Sequence, residues 1–275
     1  MILLNKILDN LDLDENLIRL INQEIKIPYL DDYNHIEGYW YPHPPCLIPF
    51  FTGFGASYKG VIRHFFFERE MSYVEFELEN GYMSEVSRTI DQFFTRMVID
   101  MDMIEEGLSP KILSFCKEIN IKNAKEIDAF CEEYGNNPRD YINLPVFAQK
   151  TPLRYALTID TYDGQYPSSP KLLNKNYIKD ACSYEIATKE VIETIFEAPS
   201  WLNFKNEKFT LFNKYISEDK LKEAWLTLNS NNWILNDVAE GLEILKSKTK
   251  DKLFHLVADN WIEGMEKANK GKESY

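Results

Sequence analysis

Three stretches of this chain carry residue types and spacings that could do chemistry. Gly53-Phe54-Gly55-Ala56-Ser57-Tyr58-Lys59-Gly60 has the glycine density of a phosphate-binding loop. Such a loop ends in Gly-Lys-Ser/Thr and opens a helix whose first amides hold the anion. Here Tyr58 stands where a third dinucleotide-motif glycine belongs and a strand pattern follows, so the segment reads as a glycine-rich turn between strands. Ser57 lies in no Gly-x-Ser-x-Gly elbow. Asp100-Met101-Asp102 has the spacing that can hold a metal and a nucleotide sugar, but its place at the end of an amphipathic pattern reads as a solvated helix cap. Asp31, Asp32 and His35, with His64 elsewhere, are possible acid–base groups or hard-metal ligands. The four histidines (His35, His43, His64, His255) include no pair at i, i+4, which argues against a zinc or di-iron helix site. No catalytic residue, metal ligand or cofactor is assigned on these grounds.

The acidic residues carry more. Residues 72–79 alternate, with Val74, Phe76 and Leu78 on one strand face and Tyr73, Glu75, Glu77 and Glu79 on the other. Successive carboxylates on that face stand about 7 Å apart. Glu68 and Glu70 precede the strand, and Asn80-Gly81 after it is a strong hairpin signal, with a return strand from Tyr82. Two readings stay open: a solvated outer face, or an acidic docking surface for a basic protein, with Tyr73, Trp40 and Tyr41 as aromatic anchors.

Charge along the chain favours attention to a partner. Residues 1–110 hold 8 Lys+Arg against 19 Asp+Glu, a net −11, out of −13 for all 275 residues. A negative field repels nucleic acid and anionic membrane and speeds encounter with basic proteins. Hydrophobic residues make up 44% and aromatics 14%, enough for a substantial core. Cys46, Cys116, Cys131 and Cys182 form no Cys-x-x-Cys pair and read as reduced, buried thiols. The first eight residues are apolar but too short for a secretory signal, and no apolar run approaches the roughly 18–20 residues of a membrane span. A cytoplasmic protein is expected.

The elements that must position these residues follow from periodicity. A helix is expected over 14–25 with Asp14 as cap, then an irregular aromatic segment over 31–46. Strands are expected at 46–51, interrupted or ended by Pro49, at 61–67 and at 72–79, with a loop at Gly53–Gly60 and a helix over 85–103. From 110 onward the pattern is helical: 110–119, 123–134, 176–196, 218–229 starting at Ser217, 236–247 and 250–267. Loops fill 136–175, with a strand at 153–159, and the tail 267–275 is polar. The expected fold class is α+β. At 275 residues two domains are expected: an acidic N-terminal antiparallel sheet with flanking helices (1–108), followed by a mainly α-helical domain (109–275).

The stretch from about 27 to 104 resembles the SUKH superfamily of bacterial immunity and regulatory proteins. Ile27-Pro28 followed by Tyr33 is similar to that family's Leu-Pro…Tyr start, and Leu47-Ile48-Pro49-Phe50 to its proline-bounded apolar strand. The acidic strand 72–79 and the segment from Ser84-Glu85-Val86-Ser87 follow in the family's order. The resemblance implies an α+β domain that binds and neutralises a toxin, often a nuclease, with no shared catalytic residues. The leading expectation is therefore an immunity protein that occludes a basic toxin with its acidic surface. An enzyme with a site between the two regions, built on Asp31, His35 and His64, and a helical scaffold or regulator are the alternatives.

Overall fold

The computed structural model describes residues 2–30, 33–53, 57–77, 82–148, 199–202, 206–230 and 233–268. The α+β class holds: two short helices, a five-stranded antiparallel sheet, and then helices. The N-terminal apolar residues form α1 (Ile2–Leu8), with Leu4, Ile7 and Leu8 buried at helical spacing. Asp14 caps α2 (Glu15–Ile21), its carboxylate accepting the Asn16 amide at 2.8 Å and the Leu17 amide at 3.3 Å. This helix stops short of the expected residue 25, because Gln23 turns the chain with a φ of 60°.

The sheet is a meander in the order β1 (Asn34–His35), β2 (Leu47–Thr52), β3 (Ser57–Ile62), β4 (Ser72–Glu77) and β5 (Tyr82–Ser87). Pro49 does not end β2. The register shifts between Pro49 and Phe51, and this bulge absorbs the missing donor. Gly60, expected in a loop, pairs with Pro49 inside β3. A Cβ at Gly60 would lie 2.1 Å from the Ile48 carbonyl oxygen, so only glycine permits this close approach. The expected strand at 61–67 is accordingly displaced to 57–62. Asn80-Gly81 lies outside the described residues, but β4 and β5 pair as the hairpin signal requires. The return strand runs to Ser87, so α3 (Ile90–Glu105) starts five residues later than the pattern predicts, capped by Thr89 on the Gln92 amide at 3.2 Å.

Strand pairing puts Lys59, Val61, Tyr73 and Glu75 on one face, and Tyr58, Ile62, Val74 and Phe76 on the other. Both faces are covered. On the first, Phe93 of α3 stacks on Tyr73 at 5.0 Å and Tyr33 meets Phe51 edge-on at 5.4 Å. On the second, Tyr39 and His43 pack against Tyr58 at 6.5 and 5.5 Å.

α4 (Pro110–Glu118) and α5 (Ala124–Tyr134) match expectation, and so do α9 (Leu235–Lys248) and α10 (Lys252–Lys267). A short 3-10 turn (Pro138–Asn143) and α6 (Pro145–Ala148) lie between, and a second 3-10 turn is Ser200–Leu202. The helix expected to start at Ser217 is corrected. Ser217 ends α7 (Lys208–Ser217), which Glu207 caps on the Phe209 and Thr210 amides; Asp219 reverses the chain with a φ of 57°, and α8 is Leu221–Leu228. The expected helix 176–196, the strand 153–159 and Cys182 lie outside the described residues. Cys46, Cys116 and Cys131 are buried free thiols.

The change in element type near residue 108 is not a break in packing. One cluster of buried side chains runs from Leu4 to Met265. α10 closes over the sheet through Trp261, whose Nε1 donates to the His43 carbonyl at 2.8 Å, and through Asn260, which donates to the Tyr39 hydroxyl. Gly264 admits the Tyr39 ring, which a Cβ there would meet at 2.1 Å. No described helix is long and apolar enough to cross a membrane.

Candidate partner-binding surface

The strand expected to present acids to solvent turns most of its described length inward. Tyr73 is 6% exposed beneath Phe93 and cannot anchor a partner, contrary to expectation. Glu75 is not a docking charge either. It lies opposite Lys59 in the β3–β4 ladder, and its two oxygens meet Lys59 Nζ at 2.8 Å and Arg96 Nη2 of α3 at 3.2 Å. Burial alone would raise this carboxyl, but the two cations overcome it and hold it down to about 2. The alternation was legible; the helix laid over the polar face was not. The Glu77 backbone pairs with Ser57 and Tyr82, and Glu79 lies outside the described residues.

The remaining expected contact residues are split between two places. Glu68 and Glu70 are exposed in the connection before β4. Trp40, 46% exposed, is held by its indole Nε1 on Thr52 Oγ1 at 3.3 Å and edge-on to Tyr58 at 6.0 Å, with half-buried Tyr41 beside it. Thr52 pairs with Tyr58 at the far end of β3, about 13 Å along the strand from the β3–β4 connection. Trp40 and Tyr41 therefore do not share one patch with Glu68 and Glu70.

Charge is instead sorted by depth. Of the eight cations in residues 1–110, Lys59, Arg69 and Arg96 are buried, Arg19, Arg63 and Arg88 are half-buried, and Lys6 and Lys26 are exposed. Arg69 and Arg88 are drawn in by Glu85, itself fully buried, at 3.3 and 3.5 Å. Eleven carboxylates of the same stretch stay exposed among the described residues: Asp9, Asp12, Asp14 and Glu15 at the α1–α2 corner, Glu24 and Glu37, Glu68 and Glu70, and Asp91, Glu105 and Glu106 on α3. The surface is thus more one-sided than the sequence count of 8 against 19. Burial first, and the Asp14 charge second, push the Tyr73 phenol up to about 12. A sign of this sorting was in the sequence, since Arg96 interrupts the apolar run Phe93-Phe94…Met97-Val98 and had to find an internal anion.

Of the residues that could have made an active site, the two histidines among the described residues are held apart in separate places. His35 bonds the Ile21 carbonyl at 3.1 Å on the edge strand, whereas His64 accepts the Trp225 indole N–H at 3.1 Å beyond the end of β3. Asp31 and Asp32 lie outside the described residues. Asp102 is not a solvated cap as expected. It is 3% exposed against α5, and burial raises its carboxyl, the Cys131 thiol opposes this, and Asp128 adds to it. Among the described residues no group of three or more His, Cys, Asp or Glu side chains could hold a metal ion. Comparison of the chain with family models, with curated proteins and with solved structures finds no match.

Proposed function

We propose that this chain is an immunity-type inhibitor that captures a basic bacterial toxin domain, such as a nuclease, on its acidic N-terminal surface. The observation that carries this is the sorting of charge: eleven exposed carboxylates face two exposed lysines over the described part of residues 1–110. Nuclease substrate clefts are basic, and a one-signed surface steers such a partner into encounter and suppresses association with nucleic acid. The resemblance of residues 27–104 to the SUKH superfamily supports the same role. The docking centre is the α1–α2 corner with the β3–β4 connection rather than the Glu75 face, because Glu75 is neutralised from within.

The test is surface plasmon resonance against a panel of purified basic nuclease toxin domains, with growth rescue on co-expression as the second readout. One toxin domain should bind with an association rate above about 10⁷ M⁻¹s⁻¹ that falls with salt. Asp12→Lys, Glu15→Lys, Glu68→Lys and Glu70→Lys together should slow association about tenfold or more. Binding indifferent to salt and to all four reversals would remove this surface from the function.

A further inference from the structure

Cations scarce on the N-terminal surface gather at the turn between α4 and α5. A groove of about 600 Å³ opens there, within the range of about 300–1,000 Å³ that small-molecule sites occupy. Lys117, Lys122 and Lys125 line it together with Leu113, Cys116 and Ile121. All three lysines are exposed, and none makes a side-chain ion pair or hydrogen bond among the described residues. Glu126 is the acid among the described lining residues. Leu113 is 46% exposed, an apolar wall left open beside the charge.

The arrangement is costly as it stands. Three like charges share one rim, and Lys122 and Lys125 flank the first turn of α5, where positive charge opposes the helix dipole. A second groove on the other flank of α4 makes the contrast. It is lined by Lys26, Tyr29, Lys111, Ser114 and Glu118, and its charges are partly engaged: Lys111 lies over the Tyr29 ring at 5.2 Å and Arg19 holds Glu118 at 3.2 Å. At the α4–α5 turn the lining holds one carboxylate, Glu126, against three lysines, and among the described residues none of the three is ion-paired.

We propose that the α4–α5 groove binds a small phosphate-bearing molecule. The phosphate meets Lys117, Lys122 and Lys125, and the body of the ligand lies along Leu113 and Ile121. A dianionic phosphate matches three point-like ammonium groups better than a single carboxylate, which would leave most of their charge unopposed. A polyanion is disfavoured: Glu105, Glu106, Glu132 and Glu133 are exposed on the neighbouring helices α3 and α5, and the chain as a whole is −13.

Titration calorimetry on the full chain, with phenyl phosphate, inorganic phosphate and phenol as probes, tests both halves of the assignment. Phenyl phosphate should bind more tightly than inorganic phosphate, and phenol should not bind. The triple variant Lys117→Gln, Lys122→Gln, Lys125→Gln should keep or raise its thermal midpoint and weaken phenyl phosphate at least tenfold. The double variant Lys26→Gln, Lys111→Gln should bind as the unaltered protein does. Absence of phenyl phosphate binding, equal affinity for inorganic phosphate, or loss in the double variant instead of the triple would each overturn the proposal. None of these outcomes depends on the inhibitor function, which lies on a different surface.

Discussion

Asn229 Oδ1 accepts the Cys46 amide at 2.6 Å across 183 positions of sequence. The same side chain donates from Nδ2 to the Trp225 carbonyl at 2.8 Å. One fully buried amide thereby ties the residue before β2 to the end of α8 and leaves both partners satisfied. Truncating it strands a backbone N–H in an apolar setting, which costs about 1–3 kcal/mol.

Asn229→Ala should therefore lower the stability of the whole chain and not of its helical part alone. Urea unfolding followed by tryptophan fluorescence, to which buried Trp225, Trp233 and Trp261 contribute, should coincide with far-ultraviolet circular dichroism before and after the change. Separate transitions would mean that the sheet and the closing helices unfold independently.

Glu75 should stabilise the fold at neutral pH and stop doing so in acid. Its folded pKa, held down to about 2, lies below its unfolded value near 4.5, so its contribution is present above about 4.5 and is lost as pH falls toward 2. The amount is about 3 kcal/mol. Glu75→Gln should unfold at lower denaturant at pH 7 and show a shallower fall below pH 4.5. An unchanged acid limb would count against the ion triad.

His43 should act in a higher pH window. Burial between Tyr39 and Tyr58 pushes its pKa down to about 4, against a weaker opposing pull from the Pro44 carbonyl, which its Nδ1 meets at 3.1 Å. A depressed histidine binds its proton more weakly folded than unfolded, so stability is complete above about 6.5 and declines as pH falls toward 4. The full effect is about 3 kcal/mol. His43→Gln should flatten stability between pH 6.5 and 4 while leaving the Glu75 limb in place.

Charge reversal should separate docking from folding. Glu68→Lys with Glu70→Lys should leave the melting temperature within a few degrees and slow capture of a basic toxin domain. Glu75→Lys should do the opposite, because it sets a third cation beside Lys59 and Arg96. Circular dichroism melts and association kinetics on the same samples distinguish the two outcomes.

What the sequence disclosed was local. Asp14 announces α2, and the helical patterns over 110–119, 123–134, 236–247 and 250–267 announce α4, α5, α9 and α10, because caps and apolar periodicity act within a few residues. Two boundaries were misread through local turns, at Gln23 after α2 and at Asp219 after α7, but the errors at the candidate site came from contacts distant in sequence. Pro49 looks like a strand end until its bulge meets Gly60. Tyr73 and Glu75 look outward until α3 covers them, and the polar pattern of that face is the same whether water or Arg96 is its partner. Lys122 and Lys125 look like ordinary solvated charge until the α4–α5 turn gathers them with Lys117.

The inward turn of the cations also decides which proteases can read the N-terminal region. Trypsin cuts after lysine or arginine, and in residues 1–110 it finds Lys6 and Lys26 exposed, while the side chains of Lys59 in β3, Arg69 between Glu68 and Glu70, and Arg96 on α3 are buried in ion pairs. A glutamyl endopeptidase meets Glu68 and Glu70 in a connection without helix or strand. To the first enzyme the connection between β3 and β4 offers half-buried Arg63 and buried Arg69; to the second the same connection is an open seam.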